Sequence, residues 1–163
     1  MKLKIIKFPN PFLRKKAKAV KKFTPVIVKL IDDMIETMHV APGVGLAAPQ
    51  VHKSIRVIVV DPGSGPLALV NPVILEHSGC QVFTEGCLCL PGVEAPVERA
   101  SHVKVKALDS DGEAFVITAD GFLATILQHE IDHLEGIVFI DRVKNPSDIK
   151  YVPPSKEKKE EQL

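Results

Sequence analysis

Val26, Ile27, Leu30, Ile31, Met34, Ile35 and Met38 recur at α-helical spacing directly after Thr24 and Pro25. Thr24 reads as the N-cap and Pro25 as the first helical residue, where a missing N–H costs nothing. The stripe is read as core packing. A second helix is expected from about Gly121 to Leu134, with Asp120 capping its start and Gly136 just past its end. Its apolar residues, Phe122, Leu123, Ile126, Leu127 and Leu134, cover more than one face, so the helix is expected to be central and largely buried. Between the two helices the pattern turns to β. Residues 55–60 are a β-branched run ended by Asp61-Pro62-Gly63. Residues 67–70 and 73–75 are short candidate strands punctuated by Pro72. Residues 103–108 alternate, 109–112 turn the chain, and 114–118 return as a hairpin partner. The expected class is α+β, with mainly antiparallel β-sheets packed around a central C-terminal helix.

A chain of 163 residues fits one core of ordinary size, and 45% hydrophobic with 25% charged residues is globular composition. A single catalytic domain is expected over residues 1–145. Beyond it, Asn145-Pro146, Pro153-Pro154 and the charge block from Lys156 to Glu161 read as a polar, flexible tail, 146–163. Lys+Arg is 21 against 20 Asp+Glu, so the net charge of +1 gives no overall electrostatic reason for a phosphate-rich partner. One Tyr and no Trp give poor support for an aromatic stacking surface for single-stranded nucleic acid. Direct nucleic-acid readout is therefore not expected. No apolar stretch approaches the ~18 residues of a membrane helix, and the lysine-interrupted N-terminus has no secretory core. Three cysteines, at 80, 87 and 89, are too few and too clustered for a disulfide framework. A soluble, cytoplasmic, monomeric protein is expected.

The chemistry concentrates in three segments. His129-Glu130-Ile131-Asp132-His133 places two imidazoles one helical turn apart, so both can reach one metal ion. Glu130 is displaced about 100° around the helix from His129, where its carboxylate can take a proton from an activated water. Two histidines leave a catalytic site one protein ligand short. No His follows His133, and Cys87 and Cys89, in Glu85-Gly86-Cys87-Leu88-Cys89, are the best remaining candidates: one or both could ligate. Cys80 reads as a small buried hydrophobe. The third segment, Gly43-Val44-Gly45-Leu46-Ala47-Ala48-Pro49-Gln50, offers close backbone approach at Gly45 and an amide donor at Gln50 for a developing oxyanion. It lacks the lysine of a phosphate loop.

These three segments, in this order, resemble peptide deformylase: a Gly-Val-Gly-Leu-Ala-Ala-Pro-Gln segment, then Glu-Gly-Cys-Leu-Ser, then His-Glu-x-Asp-His. The opening Phe8-Pro9-Asn10-Pro11-Phe12-Leu13-Arg14, the run from Asp120-Gly121 to Gln128, and Asp141-Arg142 are also similar, so the resemblance covers about residues 1–145. One position departs: Cys89 stands where the family usually has Ser. The resemblance implies that Cys87, His129 and His133 bind a divalent metal, Fe(II) in the cell, with Zn, Ni or Co able to substitute. It implies that Glu130 is the general base and acid, that Gln50 and the Leu88 backbone N–H form the oxyanion hole, and that Gly45 contacts the bound peptide. The implied substrate is the N-formyl-methionyl end of a nascent peptide, with formate released. The implied partner beyond the substrate is the ribosome exit region, although Pro153-Pro154 and the mixed charge block argue against the long basic C-terminal helix that meets it in other members.

The methionine side chain needs an apolar slot. Phe122, Thr125 and Ile126, on the turns before His129, together with Val44, are expected to form its wall. Asp132 is expected to pair with Arg99 and anchor the helix. Two other readings remain open at this level. A metalloprotease uses His-Glu-x-x-His too, but its usual downstream ligand is not evident. A structural zinc site of Cys87, Cys89, His129 and His133 would leave Glu130 without a task.

Overall fold

Helix α1 (Pro25–Val40) starts where its cap and proline place it. Thr24 caps through its backbone: its carbonyl accepts from Ile27 and Val28 N–H, and its hydroxyl makes no cap bond. The helix buries Ile27, Leu30, Ile31, Met34 and Met38. Val26, expected in that stripe, is 74% exposed, because it lies one residue, about 100°, off the buried face. The computed structural model describes residues 1–152.

Among these residues eight strands form two antiparallel sheets. The strands are β1 (Gly45–Ala47), β2 (Val57–Val60), β3 (Leu67–Ser78), β4 (Gln81–Cys87), β5 (Leu90–Arg99), β6 (His102–Leu108), β7 (Ala114–Asp120) and β8 (Lys150–Tyr151). The larger sheet runs β1-β2-β3-β6-β7, the smaller β4-β5-β8. The β6–β7 hairpin follows the alternation in sequence, with Val105 opposite Ile117. The two short strands expected around Pro72 are one strand, β3, with a register shift between Val70 and Val73. Proline has no N–H to give a ladder, and the bulge removes the demand for one. Asn71 supports it at φ 54°, exchanging two hydrogen bonds with the Val20 backbone at 2.8 and 2.9 Å.

Helix α2 (Gly121–Leu134) packs Ala124, Ile126, Leu127, Ile131 and Leu134 against Ile58, Val60, Leu69, Val103 and Val105 of the larger sheet. Asp120 does not cap it by its side chain, which pairs instead with His102 at 2.8 Å. Beyond the helix, Gly136 turns at φ 75°, and a Cβ there would lie 2.3 Å from the Arg14 carbonyl oxygen. The α+β class, antiparallel sheets around a helix bearing the two histidines, is as expected.

Two straps close the fold. The N-terminal one is pinned by backbone bonds from Ile6 to Gln50, Phe8 to Cys89 and Ala17 to Leu134, each 2.8 Å, and by a parallel bridge between Lys18 and Ile55. The other corrects the expected boundary at 145. Residues 146–152, read as tail, form a short 3₁₀ turn and then β8, whose Lys150 and Tyr151 pair with Glu94 and Val93. Val93 and Ile149 pack onto the cluster around Phe139, which is what holds this segment. The Pro153-Pro154 and charge-block part of the expected tail lies outside the described residues.

Candidate metal centre

The polar face of α2 is as buried as its apolar face. His129, Glu130 and His133 are at most 2% exposed. Glu85, near the end of β4, accepts the His129 Nδ1 hydrogen bond at 2.8 Å. That bond fixes the tautomer and leaves Nε2 as the free lone pair. His133 Nε2 lies 3.3 Å from Cys87 Sγ. Burial, and after it the neighbouring His129 and Arg99, hold His133 well below the usual imidazole range, so it is a neutral donor.

Cys87 ends β4 and Leu88-Cys89 make the tight turn into β5. The turn brings Cys89 Sγ to 3.2 Å from Cys87 Sγ. Burial, then the Cys89 thiol beside it, pushes the Cys87 thiol well up. A cation is the natural means of holding such a buried sulfur as thiolate. Leu88 is 5% exposed, and its carbonyl accepts from Lys7 Nζ at 3.1 Å. Gln50, fully buried, follows β1 on a 3₁₀ turn. Its Oε1 accepts from Ala47 N–H at 2.8 Å, which turns the amide nitrogen toward Cys87 Sγ at 3.3 Å.

The ligating atoms of Cys87, Cys89 and His133 lie within 4.8 Å of one another, and so do those of His129, Glu130 and His133. His133 is common to both groups. Of all buried side-chain nitrogen and oxygen atoms among the described residues, those without a partner are His129 Nε2, His133 Nδ1 and both Glu130 oxygens. A native interior leaves few such atoms, and these belong to the same three residues. The donor set of imidazole and thiolate fits a divalent transition metal.

Glu130 Oε2 stands 4.0 Å from His129 Nε2. Burial raises its carboxyl well above the usual range, helped by the nearby Cys89 and Glu85 charges and opposed by Arg99. Gly45 gives it room: a Cβ at that position would lie 2.4 Å from Glu130 Oε2.

Behind the histidines a chain of charges runs from buried Glu85 and Arg99 through Asp132 to exposed Arg142. Arg99 donates to Glu85 at 2.6 and 2.9 Å and to Asp132 at 2.9 Å. Arg142 grips the same Asp132 at 2.5 and 2.8 Å. Burial works against the Glu85 carboxylate, but His129 and Arg99 outweigh it and hold the group ionised. The expected Arg99–Asp132 contact is thus one link of a longer chain. Sequence reasoning assigned no role to Glu85 or Arg142. The available signal was an acid two residues before a cysteine in an otherwise apolar segment.

Val44 and Phe122 line a cleft of about 390 Å³ with Gly43, His39 and Asp61. Thr125 and Ile126 sit behind that wall. Thr125 Oγ1 accepts from Gln81 at 2.8 Å, and Ile126 is fully buried against the larger sheet. Cys80 is exposed, contrary to the buried position expected, because it sits in the β3–β4 turn.

Residues 2–148 match the family model for polypeptide deformylase. The chain is 52% identical to the peptide deformylase of Desulfitobacterium hafniense over 88% of its own length and 95% of that protein's. It is 51% identical to that of Pelotomaculum thermopropionicum, over 87% and 92%. The crystal structure of peptide deformylase from Thermotoga maritima superposes with a TM-score of 0.87 at 44% identity, covering 89% of this chain and 99% of that one. That from Synechococcus elongatus, in complex with actinonin, gives 0.87 at 40% identity, over 90% and 81%. The chain belongs to the polypeptide deformylase family, metal-dependent hydrolases that remove the N-formyl group from the formyl-methionine of newly made polypeptides and release formate.

Proposed function

We propose that Cys87, His129 and His133 hold one divalent ion and that Glu130 moves the proton of the reaction. The observation that carries this reading is the set of partnerless buried atoms, His129 Nε2 and both Glu130 oxygens, with Oε2 standing 4.0 Å from Nε2. When bound, the ion supplies Lewis acidity toward the formyl oxygen and acidifies water. Glu130 takes a proton from the attacking water and delivers it to the amine nitrogen as the C–N bond breaks. Its raised affinity for a proton suits both halves of that task. The Gln50 amide N–H and the Leu88 backbone N–H bind the oxyanion. Gly45 lies along the peptide backbone, and the methionine enters between Val44 and Phe122, with Thr125 and Ile126 behind.

The same reading makes the ion Fe(II) in the cell, with Zn, Ni or Co as substitutes, since a thiolate and two imidazoles accept all four. It places the protein in the cytoplasm as a monomer acting on nascent chains near the ribosome exit. No helix among the described residues is long and apolar enough to cross a membrane. The protein purified anaerobically with Fe(II) is expected to release formate from a short formyl-Met peptide. Glu130→Gln is expected to keep its metal and lose turnover. A folded, metal-loaded wild type without turnover would overturn the assignment of roles.

A further inference from the structure

Cys89 takes no part in the proposed catalysis, yet its side chain is fully buried in the metal centre. Three contacts hold it there. The ladder pairs Cys87 with Leu90, so Leu88 and Cys89 form the turn between β4 and β5. Phe8 N–H bonds the Cys89 carbonyl at 2.8 Å, and Lys7 Nζ bonds the Leu88 carbonyl at 3.1 Å, so the N-terminal strap pins that turn.

The turn gives Cys87 two close donor neighbours. Its Sγ lies 3.2 Å from Cys89 Sγ and 3.3 Å from His133 Nε2. The donor atoms of Cys87, Cys89 and His133 lie within 4.8 Å of one another, whereas His129 falls in the other such group, with Glu130 and His133. The Cys87 sulfur is therefore grouped with a second sulfur rather than with His129. Around a tetrahedral zinc, with Zn–S about 2.3 Å and Zn–N about 2.0–2.1 Å, neighbouring donors stand about 3.6–3.8 Å apart. The observed spacings reach that range by opening about half an ångström or less.

We propose that Cys87, Cys89 and His133 form a second seat for Zn(II), overlapping the catalytic one. The proposal rests on the reading that Cys87, His129 and His133 hold the catalytic ion. The two seats share Cys87 and His133, so a single ion occupies one or the other. Thiolate-rich donor sets select zinc, whereas imidazole suits zinc and iron alike. Zinc, with no geometric preference of its own, is favoured in the two-sulfur seat, and Fe(II) in the seat with two imidazoles. The identity of the ion thus selects the seat. Serine, usual at this position in the family, offers no second sulfur, so the second seat depends on Cys89.

X-ray absorption at the zinc and iron edges of the full-length protein, loaded with either metal alone, counts the sulfurs directly. The zinc form is expected to show two sulfurs at about 2.3 Å and the iron form one. In Cys89→Ser the zinc form should show one sulfur. Its zinc affinity, measured by competition with a chromophoric chelator, should fall at least about tenfold, since a direct ligand matters no less than an outer partner. His129→Ala should keep its zinc with two sulfurs. One sulfur around zinc in the wild type, the same sulfur count in Cys89→Ser, or loss of zinc from folded His129→Ala would overturn the proposal. The wild-type count decides without any variant. Formate release by the iron-loaded protein is measured separately. Its absence would overturn the catalytic reading, and the zinc sulfur count would still decide the second seat.

Discussion

Glu85 and His129 meet at 2.8 Å across the joint between the smaller sheet and the central helix, and their hydrogen bond selects which imidazole nitrogen is left for the candidate metal centre. Glu85→Gln keeps an acceptor for Nδ1 but removes the charge that favours it. Metal affinity is expected to fall about 10–100-fold. Competition with a chelator, followed by metal analysis of the protein, measures this. Unchanged retention would mean that the bond only positions β4.

The two arginines on Asp132 should differ in cost. Arg99 is 3% exposed and its loss leaves Glu85 buried with one cation fewer, so Arg99→Ala is expected to destabilise by about 3–5 kcal/mol. Arg142 is 45% exposed, and Arg142→Ala is expected to cost about 1 kcal/mol or less. Urea unfolding of zinc-loaded proteins compares them. Equal costs would contradict the burial argument, and a melting shift below one degree for Arg99→Ala would remove it.

Gln50→Ala should lower turnover about 10²–10³-fold while the protein keeps its metal. Because Gln50 Oε1 also holds Ala47 N–H, a modest stability loss of about 1 kcal/mol accompanies it. Turnover and metal content measured on one preparation separate the two effects. Activity near the wild-type level would exclude the amide from the oxyanion hole.

Acid should loosen the contact between Arg14 and the turn after α2. Burial works against ionised Asp141, but Arg14 and the Val138 N–H outweigh it and hold its carboxyl below the ordinary value near 3.9. The group is more acidic folded than unfolded. Its contribution is therefore present above about pH 4 and is lost as pH falls through the folded value. Asp141→Asn should cost about 1 kcal/mol at pH 7, and the gap to wild type should narrow below pH 4. A gap constant across that range would show that Asp141 does not titrate with folding.

The sulfurs of Cys87 and Cys89, 3.2 Å apart, should join in metal-free protein treated with hydrogen peroxide. Each thiol gives up one proton and one electron, and the peroxide leaves as two waters. Mass spectrometry should show the loss of two hydrogens in the peptide bearing both residues. Bound zinc should protect, and Cys89→Ser should instead gain oxygen at Cys87. Oxygen addition at Cys87 in the wild type, with no loss of hydrogens, would show that the pair cannot close.

The helices, the β6–β7 hairpin and the pairing of two histidines on one helix face were legible because each rests on local spacing. His129 and His133 share a helix face whatever surrounds them. Glu85 was not legible as a partner of His129, since 44 residues separate them and only the docking of β4 on α2 joins them. Pro72 misled for a related reason: it reads locally as a break, and the bulge that absorbs it depends on Asn71 meeting Val20 from another part of the chain. Residues 146–152 looked like tail because their composition is polar, while their order comes from pairing with β5.

Gly45 has a consequence for inhibitor resistance. Any side chain there would collide with Glu130, so a compound anchored on the Gly45 backbone grips a position that a single substitution cannot change without displacing the proposed proton carrier. Escape mutations against such a compound should collect instead at the cleft mouth, at residues such as His39, Val44 and Phe122, whose side chains line the opening.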